Sequence, residues 1–190
     1  ILSSAEYGVT DLLIQTGNLI IPLASIGIAN GVIRFGLERS SDKRGVFTTG
    51  LLTTLAGFLV LLLLSPLLER ITFLSGYLWL LLLYVLMANL HALCNQFARA
   101  MGHVRVFALS GVICTLLTIF FNILLLAVFQ MGITGYILAN VLADALSTIF
   151  VFLSARQWRY LRLAALSRSG AAQMLRYSAP LVPSTLCSWI

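Results

Sequence analysis

Long apolar runs, separated by short polar segments, dominate the hydrophobic pattern of the chain. Five runs are long enough to cross a bilayer, because about 20 helical residues cover a hydrocarbon core of roughly 30 Å. Another run begins near residue 171 and is interrupted by Pro180 and Pro183. The pattern predicts an all-α membrane protein, a polytopic transmembrane helix bundle with about five complete spans plus the start of a sixth. The complete spans are predicted at 12–35, 46–67, 77–98, 106–129 and 133–154.

The first predicted span is unusually polar for a helix surrounded by lipid. Its polar, small and proline residues recur at spacings of three and four, which places them on one helical face. A proline in mid-span removes a backbone donor and bends the helix. We therefore expect a kinked helix whose polar stripe faces the protein interior or a water-filled cavity. The stripe consists of Gln15, Asn18, Pro22, Ser25 and Ala29.

The first half of the second predicted span is rich in small and hydroxylated residues, whereas its second half resembles a lipid-facing helix. Small residues let helix backbones approach closely inside a membrane. We therefore expect the first half to contact neighbouring helices. Its small and hydroxylated positions are Thr48, Thr49, Gly50, Thr53, Thr54 and Gly57.

Two segments outside the spans also carry a pattern. Residues 1–10 are predicted to form a short polar segment ahead of the first span. In 155–170, arginines alternate with aromatic and leucine residues, which predicts a short amphipathic helix at the membrane interface.

The amino-acid composition indicates which kinds of partner the protein contacts. The chain is 60% hydrophobic and only 9% charged, whereas a soluble domain carries about 25% charged residues. Its net charge of +6 comes from basic residues that lie between the apolar runs. Topology and lipid headgroups explain basic residues in those places. We therefore expect the lipid bilayer to be a partner and nucleic acid not to be one.

The basic residues are distributed unevenly between the two sides of the predicted bundle. Eleven of the twelve lysines and arginines lie on one side, and Arg70 lies on the other. Because basic loops stay on the cytoplasmic side, the loops 36–45, 99–105 and 155–170 are predicted to be cytoplasmic. The protein is expected to be a multi-pass protein of the plasma (inner) membrane.

A charge inside a span is the sharpest local signal. Asp144 lies near the centre of the span 133–154 and shares one helical face with Asn140 and Ser147. A carboxylate there costs about 2.5–3.5 kcal/mol, so it is expected to face the bundle interior and to have a partner. Two interpretations stay open. One is a coupling-ion or proton site, or a contact to substrate hydroxyls. The other is a structural hydrogen bond between helices.

Other polar residues near the spans also have two interpretations. Arg34, with Asn30 one turn before it, is either a topology anchor whose charge reaches the interface or a cationic lining that pairs with phosphate. Asn122 belongs to a small-polar stripe that serves helix packing or a cavity wall. His91 is interpreted as a packing residue.

Sequence signatures of enzymes and metal sites are missing. No HExxH, GxSxG, P-loop or CxxC motif occurs, and the segment 155–170 contains no Asp, Glu, His or Cys. The three cysteines, Cys94, Cys114 and Cys187, lie in apolar segments without metal-ligand spacing. We therefore expect no catalytic residues, no metal and no cofactor, and cysteines that only pack.

Several motifs, in their order and spacing, resemble the polysaccharide-exporter branch of the multidrug/oligosaccharidyl-lipid/polysaccharide flippase superfamily, which includes the O-antigen flippases. They extend over nearly all of the chain. The matching pieces are Glu6-Tyr7-Gly8, Pro22–Gly27, Arg34-Phe35, Arg99–Gly102, Phe121-Asn122-Ile123, Gly132–Gly135 and Arg176–Pro183.

The resemblance implies a protein of about twelve to fourteen spans in two lobes. Residues 1–170 would then form most of the N-terminal lobe without its first span, and 171–190 would begin the C-terminal lobe. The chain begins with Ile1, and its last residues have the pattern of a span cut short, so we expect truncation at both ends.

The function implied by the resemblance is the flipping of a polyprenyl-pyrophosphate-linked oligosaccharide by alternating access. Such a lipid-linked oligosaccharide would be the substrate, with a coupling ion as a further partner. The alternatives are a cation-coupled multidrug or metabolite exporter of the same superfamily and a membrane-embedded glycan enzyme. The residues expected to line the cavity are Gln15, Asn18, Asn30, Arg34, Asn122, Asn140 and Asp144.

Overall fold

Helices and short connections make up the computed structural model, which describes residues 4–39, 41–69, 76–162 and 167–187. No strand occurs in these ranges, so the expected all-α bundle is confirmed. A π-helical turn (Ile123–Val128) follows α5, and a 3₁₀ turn (Gln157–Tyr160) follows α6. The α-helices are α1 (Ser4–Ser25), α2 (Ile28–Leu37), α3 (Lys43–Leu68), α4 (Leu78–Ala100), α5 (Val104–Asn122), α6 (Gly132–Ser154), α7 (Arg168–Ser178) and α8 (Leu181–Cys187).

The number of possible membrane spans agrees with the hydrophobic pattern. Among the described residues, four segments are long and apolar enough to cross a membrane: α3, α4, α6, and α5 together with its π turn. The pair α1 and α2 passes the same test as one broken span. These helices confirm a polytopic membrane bundle.

The first span is broken rather than smoothly kinked. Helix α1 continues through Pro22 to Ser25, and α2 leaves at a bend of 53°. Ile26 and Gly27 both adopt left-handed backbone conformations, with φ of 52° and 59°. The amide of Gly27 donates to the carbonyl of Pro22 (3.0 Å), which closes the end of α1. The expected bend is therefore present, but it lies four residues beyond the proline.

The prediction of a polar segment at 1–10 is wrong from Ser4 onward, because α1 begins there. The reason is packing. Val9 and Leu13 on this first half of α1 belong to an apolar cluster with Leu81 of α4 and Ile137 of α6. Burial of these side chains favours helix where the local sequence is polar.

The prediction of an amphipathic interfacial helix at 155–170 is also wrong for the described part. In residues 155–162 only the 3₁₀ turn Gln157–Tyr160 forms, and α7 begins at Arg168. The side chain of Gln157 has no exposed surface, and its Nε2 donates to the carbonyl of Cys94 (2.7 Å). This hydrogen bond fastens the turn to α4. Residues 163–166 lie outside the described residues.

Helix α6 lies between α4 and α5, and α4 contacts α1, α2, α3 and α6. Helix α5 packs chiefly on α4 and α6, so it lies at the edge of the bundle. Two apolar clusters fill the interior. One includes Phe47, Leu93 and Phe97, and the other includes Leu13 and Leu81.

The first half of α3 is a contact surface, as its small residues predicted. A Cβ atom added at Gly50 would lie 2.7 Å from side-chain atoms of Leu93 and Val32. At Gly57 an added Cβ would overlap the carbonyl oxygen of Ala24. Helices α1, α2 and α4 therefore approach the backbone of α3 closely, which only glycine permits at these positions.

The predicted interruption of the last run is present at Pro180, where α7 ends before α8 begins, but not at Pro183, which lies within α8. Helix α7 packs against α2 and α3, and the rings of Phe35 and Tyr177 meet edge to face with centroids 6.0 Å apart. The division into two lobes near residue 170 stays a prediction.

Candidate functional site

Asp144 of α6 meets His91 of α4 inside the bundle. Its Oδ1 lies 3.1 Å from Nδ1 of His91, and the two side chains are only 16% and 18% exposed. The thiol of Cys114, on α5, donates to the same oxygen at 3.4 Å. A carboxylate inside a membrane span is costly unless it has a partner, and Asp144 has one inside the bundle. The carboxylate, the imidazole and the thiol come from three different helices.

Two serines hold the other side of the imidazole. Nε2 of His91 lies 3.1 Å from Oγ of Ser147 and 3.3 Å from Oγ of Ser110. The Ser147 hydroxyl also lies within donating distance of the Ser110 carbonyl oxygen, at 3.1 Å. Neither serine has exposed surface. The imidazole is thus fixed between a carboxylate and two hydroxyls.

These contacts are satisfied in two protonation states. With a neutral imidazole, Nδ1–H donates to the carboxylate and the Ser147 hydroxyl donates to Nε2. With an imidazolium, both ring nitrogens donate, and the Ser147 hydroxyl turns to the Ser110 carbonyl. The two hydrogen-bond patterns differ in one imidazole proton and in the rotation of one hydroxyl, so the same geometry accommodates both.

The order carboxylate, imidazole and hydroxyl is also that of a catalytic triad. A nucleophile must reach a substrate carbonyl, and Ser147 has no exposed surface through which to do so. Its hydroxyl is shared between His91 and the Ser110 carbonyl, within a helix junction. The burial of Ser147 argues against nucleophilic catalysis by this group.

Most of the other predicted polar residues bond to neighbours or to their own helices. Nδ2 of Asn140 donates to the Tyr136 carbonyl (2.9 Å), and Nδ2 of Asn122 donates to the Thr118 carbonyl (2.9 Å). Asn18 accepts a hydrogen bond from the Tyr84 hydroxyl (3.0 Å), which joins α1 to α4. Gln15 is exposed on α1.

A cavity of about 440 Å³ lies where α2 ends and where α3 and α7 begin. Both helix N-termini are capped, by Asp42 on the amide of Arg44 (3.1 Å) and by Ser167 on the amide of Gly170 (3.4 Å). The free amides of a helix N-terminus attract anions. The cavity is lined by Arg34, Phe35, Glu38, Ser41, Asp42, Gly45, Val46, Thr49, Ser167, Ser169, Gly170, Gln173 and Met174.

Arg34 supplies the positively charged side chain in the lining of this cavity. Its guanidinium carbon lies 4.6 Å from the ring centroid of Tyr177 and 6.0 Å from that of Phe35. Contact with aromatic faces orients a guanidinium while leaving its N–H donors available. The side chain is exposed, whereas Asn30, one turn earlier on α2, is partly buried and does not line the cavity.

The three basic loops lie at the same end of the bundle. The Thr48 hydroxyl accepts from the amide of Arg162 (3.2 Å), and a Cβ added at Gly36 would lie 2.6 Å from the Cβ of Ala100. A second cavity at this end, of about 350 Å³, is lined by His103, Ser154, Ala155, Arg156, Arg159 and Tyr160. Positive charge is therefore concentrated beside both cavities.

The seven predicted cavity residues lie in different parts of the bundle. Arg34 lines the larger of the two cavities described, and the other six line neither. The polar groups are divided between Arg34 at the basic end and Asp144 at the helix junction. Periodicity placed them on helical faces, but it could not show which faces meet.

Three residues of the helix junction were missed from the sequence. His91 was taken for a packing residue, Cys114 for an inert thiol, and Ser110 was not singled out. They come from two helices other than that of Asp144, so no spacing within one helix connects them. The sequence did contain one indication. Because Asp144 needs a partner, a polar residue was to be expected on a neighbouring span.

A family model described as polysaccharide biosynthesis protein matches residues 1–190. The chain belongs to this family. The resemblance to polysaccharide proteins is thereby confirmed, and this polysaccharide biosynthesis protein is a multi-pass membrane protein whose helices require a lipid bilayer. No curated protein and no solved structure matches the chain.

Proposed function

We propose that this polysaccharide biosynthesis protein flips a polyprenyl-pyrophosphate-linked oligosaccharide across the plasma membrane by alternating access. The observation that carries the proposal is the cavity at the basic end of the bundle, in which Arg34 is held against Tyr177. Its volume of about 440 Å³ lies within the range of small-molecule sites. A lipid-linked sugar needs such a polar site beside the bilayer.

The groups around the cavity suit a pyrophosphate. Arginine binds phosphate oxygens through paired N–H donors, and the N-termini of α3 and α7 add a favourable potential for an anion. Two acidic residues also line the cavity, but each already accepts a hydrogen bond. Asp42 accepts from the amide of Arg44, and Glu38 accepts from the Ser41 hydroxyl (3.3 Å).

Replacing Arg34 with glutamine should reduce polysaccharide export about 10-fold or more, because a charge-assisted contact contributes about 1.5–3 kcal/mol. Export is measured as surface polysaccharide in a deletion strain that carries each variant, at equal protein level in the membrane. The matched control is Arg99→Gln. Arg99 also stacks on an aromatic ring, that of Phe107 (5.7 Å), but lines neither cavity. Equal export by the two variants would remove Arg34 from the proposal.

Transport of the lipid-linked oligosaccharide from the cytoplasmic to the outer leaflet requires the basic end of the bundle, with its cavity, to be cytoplasmic. We expect the cysteine of an Arg39→Cys variant to react with a membrane-impermeant thiol reagent only after the cells are opened. The cysteine of a Met131→Cys variant, directly before α6, should react in intact cells. Both positions are exposed, so their reactivity reports the side of the membrane. The measurement uses a protein whose three native cysteines are serine, and the reverse pattern would invert the orientation.

A second candidate is a cation-coupled exporter of small amphiphiles. The observation that favours it is the pair of His91 and Asp144, which is suited to holding a proton within the bundle. Such an exporter would show cation-coupled efflux, and its deletion would leave surface polysaccharide unchanged. The family places the protein in polysaccharide biosynthesis, so the flippase is preferred.

Transport, rather than glycan chemistry, is part of the proposal. A membrane-embedded glycan enzyme needs an acid, a base or a nucleophile that its substrate can reach. The best geometric candidate, the hydroxyl of Ser147 on His91, is fully buried. We therefore assign no catalytic residue.

A further inference from the structure

One nitrogen, one sulfur and one oxygen meet at the junction of α4, α5 and α6. A ring nitrogen of His91, Sγ of Cys114 and a carboxylate oxygen of Asp144 all lie within 4.8 Å of one another. Zinc is bound at about 2.0–2.3 Å by these three atom types, so the ligands of one ion are about 3–4 Å apart. The measured separations from the Asp144 oxygen are 3.1 Å to His91 and 3.4 Å to Cys114.

The charge of the three groups suits a divalent ion. A thiolate, a carboxylate and a neutral imidazole together carry two negative charges, which one Zn²⁺ cancels. A neutral assembly avoids the cost of leaving a net charge between membrane helices. The proton of the Cys114 thiol is released to solvent as the metal binds. Magnesium and calcium prefer oxygen ligands, so the sulfur and nitrogen favour zinc.

The surroundings of His91 also suit metal binding. Metal-ligating histidines usually donate their other ring N–H to a protein acceptor, which fixes the tautomer. Here Nε2–H has the Ser147 oxygen at 3.1 Å, and the Ser147 hydroxyl can donate in turn to the Ser110 carbonyl. This leaves Nδ1, which faces the Asp144 carboxylate at 3.1 Å, without a proton and free to bind a metal.

We propose that His91, Cys114 and Asp144 form a binding site for a single Zn²⁺ ion. Helix α5 lies at the edge of the bundle and packs chiefly on α4 and α6. A bound ion would join these three helices at one point and fasten α5 to the other two. Three protein ligands leave a fourth position for water.

The test is titration of the purified full-length protein in detergent with Co²⁺ and Zn²⁺ after chelator treatment. One equivalent of Co²⁺ should produce a thiolate-to-metal absorption band and the visible bands of a tetrahedral ion. Cys114→Ser should abolish the thiolate band and weaken Zn²⁺ binding by at least about 100-fold, with a comparable loss for Asp144→Asn. The controls Cys94→Ser and Cys187→Ser should bind as the wild type does, because neither cysteine belongs to the cluster.

A thermal measurement separates loss of the site from loss of the fold. Zn²⁺ should raise Tm of the wild type and of Cys94→Ser, but not that of Cys114→Ser. Absence of stoichiometric binding, or a thiolate band that persists in Cys114→Ser, would overturn the proposal. The inference does not depend on the transported substrate, so Arg34→Gln should bind Zn²⁺ normally whether or not it impairs export.

Discussion

His91→Leu is expected to lower the free energy of unfolding by about 1–3 kcal/mol, the usual cost of leaving a buried polar group without its hydrogen-bond partner. Leucine is close to histidine in volume, so the helix junction stays filled. Within the described ranges, the side chain of Asp144 would keep the thiol of Cys114 as its donor. The nearby hydroxyls of Ser110 and Ser147 would also lose the imidazole nitrogen. The measurement is reversible unfolding in detergent or bicelles, with a chelator present so that metal does not contribute.

The pairing is tested by removing both partners. The double variant His91→Leu/Asp144→Leu should recover most of the loss, because no buried carboxylate is then left without its partner. His103→Leu is the control, since His103 is exposed before α5 and should change stability by no more than about 0.5 kcal/mol. If His91→Leu and His103→Leu were equally stable, the contact between His91 and Asp144 would contribute nothing to folding.

Gly57→Ala is expected to destabilise the bundle by about 3 kcal/mol, although alanine is the best helix former. The added methyl group would occupy the place of the Ala24 carbonyl oxygen, so α1 and α3 would have to separate. A backbone carbonyl cannot rotate away as a side chain does. Ser25, beside Ala24, is buried, so separation would also open the packing near the break between α1 and α2. Unfolding and the yield of monodisperse protein both measure the effect.

Gly111→Ala is the matched control for Gly57→Ala. Both glycines lie within membrane helices, but a Cβ added at Gly111 would meet nothing within 4 Å. Alanine there should be neutral or stabilising by up to about 1 kcal/mol. Equal stability of the two variants would contradict the close contact between α1 and α3.

Much of the fold followed from the hydrophobic pattern, because the bilayer fixes the length of an apolar helix. The predicted span 133–154 corresponds to α6 (Gly132–Ser154), and 77–98 corresponds to α4 (Leu78–Ala100). The small residues of α3 also predicted a contact surface, since glycine in a membrane helix lets a neighbouring helix approach its backbone closely. The segments 1–10 and 155–170 were predicted wrongly because tertiary contacts of Val9 and Gln157 override their local polarity.

The candidate site was only partly predictable. The sequence by itself determined that Asp144 needs a partner, because an unpaired carboxylate in a span is too costly. It also grouped the basic residues, since charges cluster at loops outside the bilayer. Only the tertiary structure decided that His91 and Cys114 meet Asp144, and that Arg34 lines a cavity with α3 and α7. The physical reason is that periodicity fixes the face of one helix, whereas packing decides which faces of different helices meet.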